Sequence, residues 1–89
     1  MNNNNNNNNE EDIVLNGVVN IICDVMEITK DKVKPESNLV TDLNVESLDF
    51  VDLVEAFTNE YGVTILDQDI KKINTVEDIA KYIKTHRHV

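Results

Sequence analysis

The residue with the clearest chemical potential is Ser47, which lies in the sequence Asp-Leu-Asn-Val-Glu-Ser-Leu-Asp at residues 42–49. A serine hydroxyl becomes a nucleophile only when an adjacent base takes its proton and a third group orients that base. The only histidines, His86 and His88, lie within the last four residues. The residue types therefore indicate a hydroxyl that another enzyme modifies, and they argue against a catalytic serine.

No motif in the chain indicates a metal site. His86 and His88 could bind a metal only weakly, and a frayed polar tail is the better interpretation. An EF-hand loop starting at Asp42 fails, because its sixth position is not Gly and its twelfth is not Glu. Cys23 is the only cysteine, which excludes an internal disulfide and favours a reducing compartment.

The charge of the chain is concentrated around Ser47. Residues 36–70 contain nine carboxylates and no Lys or Arg, while the remainder has eight acids and eight bases. This surface would repel a phosphate backbone, so nucleic acid is excluded as a partner and basic protein patches are expected.

No apolar run approaches the roughly 20 residues of a membrane span, and no signal peptide is recognisable. We expect a cytoplasmic protein, or an organellar one whose presequence has been removed.

The elements that must position Ser47 are predicted to be helices. Apolar spacing predicts helices over residues 12–28, 47–61, 67–73 and 76–85, with Gly62 ending the second and Thr75 capping the last. Cys23 falls opposite the apolar stripe of the first helix and is predicted to be a surface thiol. The fold class is all-α: a small four-helix bundle with one short helix and a long loop, near residues 30–46, between the first two helices.

The predicted domain occupies residues 12–85. Residues 1–11 form an Asn-rich tail that we expect to be disordered, and residues 86–89 form a disordered C-terminal tail. A single domain of this size offers little room for a deep catalytic cleft. We expect a monomer.

The helix that follows Ser47 has two different faces. Its predicted core stripe lies within about 60° of one direction and consists of Phe50, Leu53, Val54, Phe57 and Tyr61. The opposite side carries two apolar residues beside two acids: Leu48, Val51, Asp52 and Glu55. This arrangement is typical of a small contact patch, although scattered apolar residues are normal on a protein surface.

Ser47 itself allows two interpretations. A serine at the start of a helix most often serves as its N-cap. The same helix end also favours an anion, because free N–H groups and the helix dipole both attract negative charge. A phosphodiester attached to Ser47 by another enzyme would fit there.

Residues 13–84 resemble the acyl carrier proteins. The core motif of that family, Asp-Ser-Leu following Asp-Leu-Gly, corresponds to residues 42–49. Further agreement in order and spacing extends through Val51-Asp52-Leu53-Val54, Glu60-Tyr61-Gly62, Ile65, Asp67, Asp69, Ile73 and Thr75-Val76.

The resemblance implies a non-catalytic carrier. Ser47 would carry a 4′-phosphopantetheine arm, added from coenzyme A by a phosphopantetheinyl transferase, and the arm's thiol would hold acyl groups as thioesters. Basic patches of the fatty acid synthesis enzymes would dock on Glu46, Leu48, Asp49, Val51, Asp52 and Glu55. The acyl chain would lie near Phe50, Val54, Phe57, Ile65, Ile73 and Ile79.

Departures from the family pattern concern the loop, the docking patch and the pocket. Asn44 stands where Gly is common, and Asn tolerates left-handed backbone. Glu46 replaces the usual Asp, and Glu55 makes the patch more polar. Phe50 and Ile79 are bulkier than usual, so we expect a short or reshaped pocket. A dedicated carrier for a polyketide, peptide or lipoteichoic pathway remains an alternative, as does a structural or interaction subunit without a working arm.

Overall fold

The computed structural model describes residues 10–86, which form four α-helices. They are α1 (Glu10–Met26), α2 (Ser47–Tyr61), α3 (Asp67–Ile70) and α4 (Val76–His86), with a turn of 3-10 helix at Lys30–Lys32 in the loop between α1 and α2. Among these residues the only extended pairing is an isolated bridge between Asn38 and Thr75. The prediction of an all-α bundle with one short helix is confirmed.

The first helix ends two residues earlier than predicted. Glu27 adopts left-handed backbone with φ of 58°. The Ile28 N–H then donates to the carbonyl oxygen of Cys23 over 3.1 Å, which closes the end of the helix. Periodicity alone did not show this stop, because Glu is seldom found in the left-handed conformation that ends a helix.

The third helix is also shorter than the predicted span of 67–73. Only Asp67–Ile70 is α-helical, and none of its residues is buried. The chain nevertheless keeps turning, because Lys72 N–H donates to Asp69 O over 2.9 Å and Ile73 N–H donates to Ile70 O over 3.0 Å. These bonds span three residues, as in a 3-10 helix, so the tighter turns replace the predicted α-helical ones.

The predicted boundaries of the two tails also change. α1 begins at Glu10, inside the segment assigned to the N-terminal tail, and α4 includes His86, which was assigned to the C-terminal tail. Residues 1–9, which include the whole Asn tract, and residues 87–89, which include His88, lie outside the described residues.

The hydrophobic core lies where α1 contacts both α2 and α4. Helix residues that are fully buried there are Val14, Val18, Ile22, Leu53, Phe57, Val76, Ile79 and Ile83. One face of α4 therefore packs into the core. Cys23 is half-buried at the edge of this core, so its prediction as a surface thiol was wrong. A helical wheel predicts one apolar stripe, whereas three elements contact α1, namely α2, α4 and the 3-10 turn.

The long loop is fastened to the start of α4. Leu39 N–H donates to Asn74 O over 2.8 Å, and Glu77 N–H donates to Pro35 O over 2.8 Å. The apolar loop residues are buried, namely Val33, Leu39, Leu43 and Val45. The loop therefore has a defined path from α1 to Ser47.

Thr75 caps α4, as predicted. Asp78 N–H donates to Thr75 Oγ1 over 3.2 Å, and Thr75 N–H donates back to Asp78 Oδ2 over 3.1 Å. Asn74 N–H reaches the same carboxylate oxygen over 3.0 Å. The bonds from the Asn74 and Thr75 backbones hold the pKa of Asp78 below its ordinary value, because they stabilise the ionised carboxylate.

Candidate functional site

Ser47 is the first helical residue of α2, and its side chain is exposed. Glu46 holds the cap position in extended backbone, with φ of −99° and ψ of 175°. The first α-helical hydrogen bond runs from Phe50 N–H to Glu46 O over 2.9 Å, and Glu46 N–H donates to Asp49 Oδ2 over 3.1 Å. The N-cap interpretation of Ser47 is therefore wrong, and capping does not account for its hydroxyl.

The end of the long loop fixes the position at which α2 begins. Asn38 N–H donates to Asp42 Oδ2 over 2.7 Å, and Val45 N–H donates to Leu39 O over 2.8 Å. Asn44 has left-handed backbone, with φ of 59°, at the position where the family commonly has Gly. Asn is among the few residues that accept this conformation, so the loop keeps its shape without the glycine. The expectation for Asn44 is confirmed.

An apolar cavity of about 370 Å³ opens beside Ser47. Its walls come from α2, α3 and the connector between them, and its lining residues are Ser47, Phe50, Val51, Val54, Ile65, Asp67 and Ile70. We call this the serine cavity. It places one exposed hydroxyl at the edge of an apolar space, which suits a group tethered to that hydroxyl and carrying an apolar end.

Half of the residues predicted for the acyl pocket line the serine cavity. Phe50, Val54 and Ile65 do so. Phe57 and Ile79 are fully buried in the core instead, and Ile73 lines a different cavity.

Three lining residues were missed as parts of this cavity. Val51 was assigned to the docking patch, and Asp67 and Ile70 were not assigned to the pocket. The spacing of Asp67 and Ile70, three residues apart on a helix, was a usable signal, because such residues share one face.

The residues predicted to dock partners form an outward face of α2. Leu48 and Val51 are 80% and 62% exposed. Glu46, Asp52 and Glu55 are exposed and Asp49 is half-buried. In the described part of the chain, ion pairs link Lys72 to Asp69 and Lys81 to Glu77, and neither involves a docking carboxylate. The negative charge of this face is therefore not neutralised by Lys or Arg within the described chain.

Comparison with known proteins agrees with this geometry. Residues 16–83 match the family described as "Phosphopantetheine attachment site". The chain is 41% identical over 71 residues to the acyl carrier protein of Thermotoga maritima, covering 80% of this chain and 88% of that protein. It is 39% identical over 70 residues to the acyl carrier protein of Thermosynechococcus vestitus, covering 79% and 86%. The solution structure of a putative acyl carrier protein from Anaplasma phagocytophilum superposes with a TM-score of 0.73, at 30% identity and 84% and 91% coverage.

The fold and the family match together define a carrier domain with a phosphopantetheine attachment site. The chain belongs to the acyl carrier protein family. Members of this family are non-catalytic carriers, so the chain works with a phosphopantetheinyl transferase and with partner enzymes. Among residues 10–86, every helix is too short or too polar to cross a bilayer.

The described residues fit a phosphopantetheine group. An exposed hydroxyl at a helix N-terminus suits a phosphodiester, because the helix dipole favours negative charge there. The adjoining serine cavity offers apolar side chains for the far end of the group and whatever it carries. When attached, such an arm supplies a thiol that holds acyl groups as thioesters.

Proposed function

We propose that the protein carries acyl intermediates of fatty acid synthesis on a phosphopantetheine arm attached to Ser47. The observation that carries this proposal is the position of Ser47. Its exposed hydroxyl lies at the start of α2, beside the serine cavity and next to the uncompensated carboxylates of the docking face. Attachment of the arm requires the exposed hydroxyl at the helix start, storage of cargo requires the serine cavity, and presentation to partners requires the docking face.

Ser47 acts as a passive acceptor of the arm. The histidine described by the structure, His86, is on α4, and its Nδ1 lies 2.9 Å from the carbonyl oxygen of Tyr82. A base for Ser47 would therefore come from the transferase. It would remove the hydroxyl proton as the oxygen attacks the phosphorus next to pantetheine in coenzyme A, and the pyrophosphate bond would break with adenosine 3′,5′-bisphosphate as the leaving group.

The serine cavity would hold the first part of an acyl chain. Each buried methylene contributes about 0.8 kcal/mol, so even a short chain gains from entering it. Phe57 and Ile79 are fully buried in the core and do not line the cavity. This supports a short pocket that favours short or medium chains, in keeping with the bulky Phe50 at its wall.

The docking face would orient partners by charge and fix them by apolar contact. Carboxylates on the rim of an interface mainly raise the association rate, while the apolar centre contributes to the bound state. Leu48 and Val51 are the apolar centre here, with Asp52 and Glu55 close by on the same helix.

The attachment site is tested by intact mass. The purified protein is incubated with coenzyme A and a promiscuous phosphopantetheinyl transferase. We expect the wild type to gain one phosphopantetheine and Ser47→Ala to gain none. Ser37→Ala is the matched control, because Ser37 is the other serine of the chain, is 8% exposed, and accepts a hydrogen bond from Lys34 N–H over 2.9 Å. Gain by Ser47→Ala, or no gain by the wild type, would refute the assignment.

The docking face is tested by charge reversal in a reconstituted elongation assay. Asp52→Lys should slow turnover at low salt, and the difference should shrink as salt rises. Glu77→Lys changes the net charge equally but lies on α4, so it should leave turnover near the wild-type value. Equal slowing by the two variants would show that only net charge matters.

The pathway is tested with the loaded protein. A carrier for fatty acid synthesis should be elongated through successive rounds by fatty acid synthesis enzymes. A carrier dedicated to a polyketide, peptide or lipoteichoic pathway would be loaded with the arm in the mass assay yet would not be elongated.

A further inference from the structure

The third helix is the least anchored wall of the serine cavity. α3 has four residues, none of them buried, whereas α1, α2 and α4 each bury apolar residues in the core. Two of its residues, Asp67 and Ile70, nevertheless line the serine cavity. The dimensions of that cavity therefore depend on what holds α3 in place.

A second cavity lies between α3 and α4. It has a volume of about 400 Å³ and is lined by Asp69, Lys72 and Ile73 from α3 and the turn after it, and by Asp78, Lys81, Tyr82, Thr85 and His86 from α4. We call this the rear cavity. Ile70 is only partly buried against the core, so a small movement of α3 toward the rear cavity would displace few packed side chains.

One side-chain hydrogen bond crosses the rear cavity and joins α3 to α4. Tyr82 Oη donates to Asp69 Oδ2 over 2.7 Å. The Tyr82 ring stacks on His86 with centroids 3.9 Å apart and planes 14° apart. Reduced contact with solvent and the neighbouring Asp69 carboxylate raise the pKa of the Tyr82 phenol, so it remains a donor at neutral pH.

We propose that Tyr82 is a positioning residue that, through Asp69, holds α3 against the serine cavity and so controls how tightly the cavity retains its contents. When this hydrogen bond breaks, α3 moves into the rear cavity, and Ile70 withdraws from the acyl chain that is held beside Ser47. The part of this inference that concerns cargo rests on the proposed function. The attachment of α3 by Tyr82 does not.

The attachment of α3 is tested by amide hydrogen exchange on the protein without its arm. In Tyr82→Phe, the amides of Ile70 and Ile73 should exchange about tenfold faster or more, as expected for loss of a hydrogen bond to a charged acceptor. The amides of Phe57 in α2 and Ile83 in α4 should change much less. Uniform acceleration of all four amides, or no change at Ile70 and Ile73, would overturn the proposal.

Two further variants separate positioning from simple destabilisation. Tyr61→Phe also removes one tyrosine hydroxyl, but from the contact between α2 and α1, so it should leave the exchange of Ile70 near the wild-type rate. Asp69→Asn keeps an oxygen that can accept from Tyr82, so it should protect α3 better than Asp69→Leu does. Equal effects of the two Asp69 substitutions would contradict a role for the acceptor.

Retention of cargo is tested on protein loaded with an octanoyl group. The methyl signals of Val54 and Ile65 should shift when the wild type is loaded, and these shifts should fall by about half or more in Tyr82→Phe. Unchanged shifts in that variant would overturn the positioning role. Absence of shifts in the loaded wild type would instead refute the proposed use of the serine cavity, and the exchange result would still decide the attachment of α3.

Discussion

The carboxylates of α2 should destabilise the fold, and Asp52→Asn should therefore stabilise it. Asp49, Asp52 and Glu55 follow one another at intervals of three residues, and in the described chain neither recorded ion pair includes them. Residues three apart on a helix are about 5–6 Å apart at Cβ, close enough for mutual repulsion. Asp52 has such a neighbour on each side and lies beyond the first turn, where the helix dipole no longer favours it.

The expected size of the effect follows from these two neighbours. Each like-charge pair on a helix surface costs about 0.2–0.5 kcal/mol, so removal of the Asp52 charge should add about 0.4–1 kcal/mol to the free energy of unfolding. For a domain of this size that corresponds to a rise in Tm of about 2–8 °C. The Debye length falls from about 30 Å at 0.01 M salt to about 3 Å at 1 M, so the rise should largely disappear at high salt.

Thermal unfolding followed by circular dichroism, at low and at high salt, measures this effect. Glu77→Gln is the matched control, because Glu77 Oε2 lies 3.9 Å from Lys81 Nζ and removal of its charge removes an attraction. This control should be neutral or slightly destabilising at low salt. A rise in Tm that persists at 1 M salt, or that Glu77→Gln reproduces, would refute repulsion within α2 as its cause.

Three further predictions concern stability, each measured by chemical denaturation. Gly17→Ala should lower the free energy of unfolding by about 1–3 kcal/mol, because the added Cβ would overlap the Tyr61 hydroxyl. This loss should be smaller in a Tyr61→Phe background, and an equal loss in both backgrounds would contradict the contact. Glu27→Gly should raise the free energy of unfolding by up to about 1 kcal/mol, because Glu27 has φ of 58° and Gly adopts this left-handed backbone without strain. A lower free energy of unfolding would show that another contact of Glu27 dominates. The pKa of Asp78 is lower in the folded protein than in the unfolded chain. Its contribution to the free energy of unfolding is therefore fully present above the ordinary pKa of 3.8, and it is lost as the pH falls through the pKa of the folded protein. The difference between wild type and Asp78→Ala should therefore be about 1 kcal/mol at pH 7 and vanish at low pH, whereas a constant difference would contradict the linkage.

Much of the site could be predicted from local sequence. The start of α2 at Ser47, its end at Gly62 and the capping of α4 by Thr75 are short-range features, because each depends on backbone bonds within a few residues. The tolerance of Asn44 for left-handed backbone belongs to the same class. The clustered carboxylates of α2 follow from composition and helical spacing alone.

Two local assignments were wrong, the end of α1 and the residue that caps α2, and both depend on less common local conformations. Glu27 ends α1 in a conformation that a sequence pattern assigns to Gly or Asn, and Glu46 holds the cap position that a pattern assigns to Ser47. In both places hydrogen bonds from neighbouring backbone outweigh the residue's intrinsic preference.

The sequence by itself determined the helices, the exposed serine and the sign of the surface beside it, because each arises from residues close together along the chain. Only the tertiary structure decided which apolar residues surround the serine cavity. A helical spacing gives the direction of a side chain about its own axis, but it does not say which element packs there or how closely. For that reason Phe57 and Ile79 proved to lie outside the cavity wall, and Val51 and Ile70 proved to be part of it. The bond from Tyr82 to Asp69 became visible only when α3 and α4 were placed together.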